Sequence, residues 1–232
     1  MIEILDMIGE GAKTYGTSRD RIKGVYYASE MYECERKLYY AYNYKVEHDF
    51  ETKKNFEIGN SLHNLVQGSL MLYAKNNPEI KLFNELEDLK IIDDENGYEI
   101  HGRLDTIIYG ENESNHIIEF KTTGSLNRIN NPVNHHIEQI NYYLHFFPKY
   151  EGHLIYINKK PKGSLKKYEN FKEFRGITYN DAMFKADIEK VKNVNYKIKN
   201  NILPEPEAKL KKEKNWECWY CPFRQKCDNN EN

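Results

Sequence analysis

The sequence predicts an α/β (α+β) fold in which a mixed central sheet is combined with helices before and after it. Four apolar segments have the length and composition of strands, and turn-forming residues flank them. One segment with apolar residues at helical spacing lies between the last two strands. The predicted strands lie near residues 81–92, 98–109, 115–122 and 152–158, and the main predicted helices lie at 56–74, 133–147 and 180–200.

Length and composition predict one globular domain. The 232 residues are 39% hydrophobic and 30% charged, which is enough apolar material for one good core. No apolar segment approaches the roughly 18 residues that a membrane span needs. The amino-terminal segment lacks the basic and then apolar pattern of a secretory signal peptide. We therefore expect a protein of the reducing cytoplasm with no membrane partner.

The segment 115–122 carries a carboxylate and an ammonium group at alternate positions. Because strand side chains alternate between faces, Ile118 and Phe120 point into a core while Glu119 and Lys121 share the other face. A carboxylate can hold a divalent ion and a lysine can assist an attacking water, as metal-assisted phosphodiester cleavage requires. By itself, such a pair is more often a solvated strand face.

Asp105 lies on the preceding strand, and the turn-forming residues Gly110 to Ser114 connect it to the Glu119 strand. The two strands therefore predict a hairpin that brings Asp105 near Glu119. Two carboxylates suit a hard cation such as Mg²⁺ or Mn²⁺. Gly102 can let the backbone pass close to a bulky group. The simpler interpretation of Asp105 is a surface aspartate near a strand end.

Two predicted helices add polar side chains. Gln139 and Tyr143 are four residues apart, so they share a helix face from which they can reach a phosphate or orient Lys121. The simpler interpretation is the edge of a core. His63 lies on the helix 56–74, where a lone histidine is more often a core residue than a ligand. The apolar stripe beside it consists of Ile58, Leu62, Leu65, Leu70 and Tyr73.

The four cysteines predict a metal site. Cys218, Cys221 and Cys227 cluster near the carboxyl end of the chain, and Cys34 lies near the other end. We expect no disulfides in a reducing cytoplasm, where clustered cysteines usually bind metal. Four thiolates suit tetrahedral zinc or an iron–sulfur cluster, and the spacing leaves both open. Pro222, directly after Cys221, favours the cluster.

The ordered series Gly59-x-x-x-His63, Gly102-x-x-Asp105, Glu119-x-Lys121 and Gln139-x-x-x-Tyr143 resembles the RecB-like branch of the PD-(D/E)xK nuclease superfamily. This resemblance covers most of the chain and implies a restriction-endonuclease-like core of about residues 50–200. Some relatives also carry an acidic residue on the preceding strand, where Glu85 or Glu87 would match it, and the simpler interpretation is that both are solvated. The implied ligands of Mg²⁺ or Mn²⁺ are His63, Asp105, Glu119 and the main-chain carbonyl of Phe120, with Lys121 as the catalytic lysine positioned by Gln139 and Tyr143.

A second resemblance concerns the cysteines. The segment Ser29-x-x-x-x-Cys34-x-Arg36-x-x-Tyr39-Tyr40 and the run 202–206 are similar to those of iron–sulfur RecB-like nucleases, although Glu35 replaces the usual proline. This group includes the small CRISPR-associated exonucleases of spacer acquisition and the nuclease domain of AddB-type complexes. The resemblance implies a structural [4Fe–4S] cluster in a helical subdomain of about residues 20–45 and 202–228, bound by Cys34, Cys218, Cys221 and Cys227.

The resemblance implies a metal-dependent DNA exonuclease that acts on single-stranded or frayed ends, 5′→3′, together with a CRISPR integrase complex. One alternative is a stand-alone viral, mobile-element or repair nuclease of the same family. Another is a non-catalytic DNA-binding or assembly module with a structural metal. A net charge of −2 does not itself indicate DNA binding, so contacts must come from local patches. The lysines of 159–167 and of 209–214 are candidates, and the sequence leaves the oligomeric state open.

Overall fold

A computed structural model describes residues 21–46, 48–109, 115–160, 170–212 and 214–230, with the side chain of Asp88 excepted. The chain forms two compact units. The first contains residues up to Val25, Glu33–Glu57 and the residues from Lys192 onward. The second contains Tyr26–Tyr32 and Ile58–Val191. No helix among the described residues is both long enough and apolar enough to cross a membrane.

Within the described residues, the sheet has six strands and is mixed, as predicted. Strands β4 and β5 are parallel, whereas the pairs β2–β3, β3–β4 and β5–β6 are antiparallel. The order is β1-β3-β4-β5-β6, and β2 also pairs with β3. The strands are β1 (Val25–Tyr27), β2 (Lys81–Asp93), β3 (Tyr98–Tyr109), β4 (Asn115–Thr123), β5 (Glu151–Asn158) and β6 (Phe171–Ile177).

Two of the long helices, α2 and α4, begin after side chains that accept free backbone N–H groups. The Asp49 carboxylate accepts the Thr52 N–H at 2.8 Å, and the Asn180 side chain accepts the Met183 N–H at 3.0 Å. A crossover helix, α3, connects the parallel strands β4 and β5. The helices are α1 (Glu35–Asn43), α2 (Phe50–Asn76), α3 (Asn134–Phe146), α4 (Asp181–Lys199), α5 (Glu207–Leu210) and α6 (Arg224–Asp228).

The predicted fold class is confirmed, and the four predicted strands agree with the structure to within one residue at each end. Helix α2 begins six residues before the predicted start at Phe56, because Asp49 caps it ahead of a charged stretch without an apolar stripe. The sequence analysis missed β1, which has three residues, and β6. In β6 the apolar residues recur every third position instead of alternating, and the strand is at the sheet edge.

One face of β4 and β5 packs against α2. Ile118, Phe120 and Ile157 form the buried centre of this cluster. From α2, Leu62, Val66 and Leu70 pack against them. The predicted apolar stripe is wrong at two positions, because Leu65 and Tyr73 of α2 are exposed. The helix is buried over a narrower sector than its apolar residues suggest.

The buried hydroxyl group of Tyr142 forms hydrogen bonds at the irregular part of the β2–β3 pair. The register shifts between Leu86 and Leu89, where the regular ladder is interrupted. The Tyr142 hydroxyl, on α3, lies 2.8 Å from the carbonyl oxygens of both Leu89 and Ile100. Helix α3 thus supplies a hydrogen-bond donor to two backbone carbonyl groups of the bulged strands.

We expect Tyr142→Phe to lower the free energy of unfolding by about 1–2 kcal/mol, because it removes the donor and leaves buried carbonyl groups unsatisfied. Urea unfolding followed by circular dichroism measures this difference. Tyr196→Phe is the matched control, since Tyr196 is 59% exposed and should change stability by less than about 0.5 kcal/mol. Equal stability of the two variants would contradict the assigned role of the Tyr142 hydroxyl.

Candidate active site

The candidate site lies where β3 and β4 separate. Their hydrogen-bonded register runs from Tyr109–Asn115 only as far as Thr106–Ile118. One residue farther, the Asp105 carboxylate accepts the Phe120 N–H at 2.8 Å. This side-chain bond replaces the next ladder bond and holds the strands apart. Asp105 and Glu119 are both buried at the opening.

His63 of α2 reaches the same opening, as the series of motifs predicts. Its Nδ1 atom lies 3.5 Å from Asp105 Oδ2, and its ring packs edge-on against Phe120 with ring centres 6.0 Å apart. Burial alone would lower the pKa of His63, but the hydrogen bond and charge of Asp105, with the charge of Glu119, raise it overall. His63 and Asp105 therefore face the same small region.

Lys121 is fixed by two acceptors. Its Nζ atom donates to Glu119 Oε1 at 2.7 Å and to Gln139 Oε1 at 2.6 Å. The Gln139 amide donates to the same Glu119 oxygen at 2.9 Å and to the Tyr143 hydroxyl oxygen at 3.0 Å. Tyr143 in turn donates to the Arg103 carbonyl at 2.9 Å. The structure thus brings Gln139 and Tyr143 to the lysine, as the sequence analysis expects of them.

The second oxygen of Glu119 is the most informative atom of the site. Glu119 Oε2 is buried and has no hydrogen-bond partner. Burial and the nearby charge of Asp105 raise the pKa of Glu119 to about 7, although Lys121 opposes this shift. A buried carboxylate oxygen without a donor is costly unless a cation binds it. The set of His63, Asp105 and Glu119 therefore fits a divalent ion bound by oxygen and nitrogen ligands.

The sequence analysis missed the role of Gln67. This residue of α2 is four positions after His63, and its amide donates to the Asp105 carbonyl at 2.8 Å and to Glu85 Oε1 at 2.9 Å. Glu85 also forms an ion pair with Arg103 at 2.9 Å. Of the two acidic residues considered on the preceding strand, Glu85 is therefore the one linked to the site. The helical spacing of His63 and Gln67 was the available signal.

The backbone of Glu85 is unusual. Its φ angle is 54°, in the left-handed region that non-glycine residues rarely adopt, just before the register shift of β2. Residues held in this conformation are concentrated at functional sites, where neighbouring contacts over-determine them. Here the contacts to Gln67 and Arg103 supply that constraint.

Gly102 allows α3 to approach β3 closely. A Cβ atom at this position would lie 2.6 Å from Cε1 of Tyr142 and 2.9 Å from Cε1 of Tyr143. Both distances are too short for any side chain. The glycine thus sets the position of Tyr143, and through it that of Gln139 and Lys121.

The four cysteines come together in the first unit, where they line one cavity and form no disulfide. Glu217 accepts the Cys34 N–H at 2.9 Å, which connects the start of α1 to the carboxyl-terminal segment. Buried Arg36 donates to the Pro204 carbonyl at 2.6 Å and to Asn230 at 2.8 Å, and its guanidinium lies 3.9 Å from Cys227 Sγ. Residues far apart in sequence therefore build this cavity.

The thiols in this cavity favour a bound metal centre. Burial raises the pKa of Cys221 to about 11 and also raises the pKa of Cys218. Metal binding requires the thiolate forms, and a bound metal stabilises them against this burial. Arg36 adds a positive charge beside Cys227. The donor set fits a tetrahedral metal or an iron–sulfur cluster.

The structure describes the two lysine patches to different extents. Lys159 and Lys160 of the first patch are described, whereas Lys162, Lys166 and Lys167 lie outside the described residues. In the second patch, Lys209 pairs with Asp228 at 2.6 Å. Lys211 and Lys214 both pair with Glu207 at 3.0 Å. These ion pairs reduce the positive charge that the second patch can offer to a phosphate backbone.

Comparisons with known proteins identify the family. The family described as the PD-(D/E)XK nuclease superfamily matches residues 76–228. The CRISPR-associated exonuclease Cas4 of Saccharolobus solfataricus is 26% identical over 202 residues, covering 87% of this chain and 86% of that protein.

Two solved structures share the fold. The crystal structure of SSO0001 has a TM-score of 0.61 and 23% identity, covering 96% of this chain and 95% of its own. An alkaline exonuclease from Laribacter hongkongensis has a TM-score of 0.52 and 13% identity, covering 78% of this chain and 90% of its own. These two likenesses concern the fold.

We expect Gly102→Ala to lower the free energy of unfolding by about 1–3 kcal/mol, because the new methyl group must displace Tyr142 and Tyr143. Gly68→Ala is the matched control. Gly68 lies within α2 with nothing near its Cβ position, so the same change should stabilise by about 0.5–1 kcal/mol. Chemical unfolding of both variants tests the opposite signs. A stabilising Gly102→Ala change would contradict the close approach of α3.

Proposed function

Because this chain belongs to the PD-(D/E)XK nuclease superfamily, we propose that it is a DNA exonuclease that depends on Mg²⁺ or Mn²⁺. The observation that supports this most is Glu119, a buried carboxylate with one oxygen bound to Lys121 and the other without a partner. Asp105 and His63 lie on the same opening between β3 and β4. These three side chains, with the carbonyl of Phe120, are the proposed metal ligands.

A divalent ion bound there would polarise the scissile phosphate and lower the pKa of a bound water. The side chains of the site hold the ligands in place. Asp105 is oriented by the Phe120 N–H, and its backbone by the Gln67 amide. The ammonium group of Lys121 would stabilise the negative charge that develops on the reacting phosphate and would assist the attacking water.

Gln139 and Tyr143 are proposed to set the position of Lys121. A lysine side chain has four rotatable carbon–carbon bonds and would otherwise sample many positions. The contacts to Gln139 and Glu119 select one of them before substrate arrives. Such preorganisation lowers the cost of ordering in the transition state. In-line attack would leave 5′-phosphate and 3′-hydroxyl ends.

The substrate and biological role are proposed from the relative. Its name, CRISPR-associated exonuclease Cas4, supports a role in processing DNA ends for spacer acquisition. We propose 5′→3′ action on single-stranded or frayed ends, in association with an integrase complex. A pull-down with that integrase separates this role from that of a stand-alone viral, mobile-element or repair nuclease.

Cys34, Cys218, Cys221 and Cys227 are proposed to bind a [4Fe–4S] cluster with a structural role. Their common cavity, the free thiols and the guanidinium of Arg36 support this assignment, and free thiols also suit a reducing cytoplasm. The first unit would then be the iron–sulfur subdomain, and the second the nuclease core. The cluster would stabilise the junction of the two terminal segments within the first unit.

We expect Lys121→Met to reduce metal-dependent DNA cleavage by about 10²–10⁴-fold, and Asp105→Asn to reduce it at least as much. Glu99→Gln is the matched control, because Glu99 lies on β3 in a half-buried pair with His101, which among the residues described has no contact to the candidate site, and should leave the rate unchanged. Cleavage of end-labelled single-stranded and duplex DNA with Mn²⁺, Mg²⁺ or chelator provides the measurement.

Variants that cut as fast as the parent would overturn the site assignment. Parent protein that binds DNA tightly without any metal-dependent product would instead support a non-catalytic binding module. Circular dichroism spectra of each variant confirm that the fold is intact.

We expect Cys34→Ser to lose bound iron and sulfide, because a cluster with three thiolates is less firmly held. Asp105→Asn serves as the control and should keep the parent content of both. Iron and acid-labile sulfide are measured on protein purified without oxygen. Zinc in place of iron in the parent would contradict the cluster and favour a tetrahedral zinc site.

A further inference from the structure

A second group of ligand-type side chains lies on the sheet, apart from the candidate active site. In the parallel register of β4 and β5, His116 is opposite Glu151, and Ile118 is opposite His153. His116, Glu151 and His153 therefore share one face of the sheet. Glu119 follows His116 by three positions, so its side chain projects from the opposite face. The two groups of side chains are thus separate.

The distances within this group suit a metal ion. His116 Nδ1 is 2.9 Å from His153 Nε2, and His153 Nε2 is 3.5 Å from Glu151 Oε1. One ligand atom from each residue lies within 4.8 Å of the other two. Tetrahedral ligands of zinc are about 3.3 Å apart when each is about 2 Å from the ion. Small side-chain rotations would suffice to enclose one.

A second carboxylate orients the central histidine. His153 Nδ1 lies 2.8 Å from Glu173 Oε1, and Arg175 holds the other oxygen of Glu173 at 2.6 Å. Because a carboxylate accepts, the hydrogen of the His153 ring is on Nδ1 and the lone pair of Nε2 points at His116. A carboxylate behind a histidine is the arrangement that fixes metal-binding imidazoles. Glu151 is likewise held, since its Oε1 accepts the Gly176 N–H at 2.9 Å.

We propose that His116, Glu151 and His153 bind one divalent transition-metal ion of the zinc type, with Glu173 as the positioning residue. Two imidazole nitrogens and one carboxylate oxygen form a ligand set that suits zinc and leaves a fourth position for water. Magnesium and calcium prefer all-oxygen ligands and suit this group poorly. The Glu151 side chain is 41% exposed, so an ion can reach it from solvent.

The contact between the two imidazole rings is compatible with this role. Without metal, the 2.9 Å contact between the two rings needs a hydrogen on His116 Nδ1. With metal, that hydrogen moves to the other nitrogen of the same ring, and the lone pair of Nδ1 becomes a ligand.

Binding would connect three strands. The ligands lie at the starts of β4 and β5, and Glu173 lies on the edge strand β6. An ion that binds only the folded arrangement stabilises it in proportion to its affinity and concentration. This site would thus strengthen the sheet edge independently of the nuclease chemistry.

The test compares zinc binding by full-length variants, because the cysteines and the active site can also take up zinc. We expect His116→Gln and Glu151→Gln each to bind one zinc ion fewer per chain than the parent. Glu173→Gln should keep the site but bind about 10–100-fold more weakly. His101→Gln is the matched control, since His101 also pairs with a carboxylate, Glu99, at 2.6 Å. Competition with a chromophoric chelator gives affinities, and mass spectrometry of metal content gives stoichiometry.

Thermal unfolding supplies an independent measurement. Zinc in excess of the cysteine and active-site capacity should raise the melting temperature of the parent and of His101→Gln by more than it raises that of Glu151→Gln. Equal zinc uptake by the parent, His116→Gln and Glu151→Gln would overturn the site. Mg²⁺-supported cleavage by Glu151→Gln should match that of the parent, so failure of this proposal is distinguishable from failure of the nuclease assignment.

Discussion

The buried carboxylate of Glu119 is the constraint on which the candidate site depends. An ionised carboxylate is stable inside a protein only when charges and donors compensate it. Lys121 and the Gln139 amide compensate one oxygen, and the other has no donor. The neighbouring Asp105 adds a second negative charge, which raises the pKa of Glu119 further. The site thus holds more negative than positive charge, and a divalent ion can balance the difference.

The close contact between α3 and β3 connects the candidate site to the rest of the second unit. Gly102 leaves room for two tyrosine rings of α3. Tyr142 donates to the bulged region of β2 and β3, while Tyr143 orients Gln139. The missing side chain at Gly102 therefore allows both the contact of Tyr142 with the bulged strands and the contact of Tyr143 with Gln139. This coupling explains why adjacent aromatic residues on one helix have different roles.

Much of the fold and of the candidate site could be predicted, because strand alternation and helical spacing place side chains on faces. Spacing made Asp105, Glu119, Lys121 and His63 candidates, and the resemblance of the ordered motifs to a nuclease family implied their roles. The structure brings these four residues to one opening. Spacing could not identify the bond from Asp105 to the Phe120 N–H, which depends on where two strands stop pairing. It also missed β6, whose apolar residues do not alternate. The group of His116, Glu151 and His153 was missed as well, because these residues become neighbours only through the parallel register of β4 and β5.

The cavity of the four cysteines has a consequence for biosynthesis. Its walls come from α1 and from the last segment of the chain, as the bond between Cys34 and Glu217 illustrates across 183 positions. A ribosome makes proteins from the amino end, and early segments fold first. The first unit therefore cannot mature until residues 217–227 have been translated. The proposed metal centre would form only after Cys218, Cys221 and Cys227 have joined Cys34.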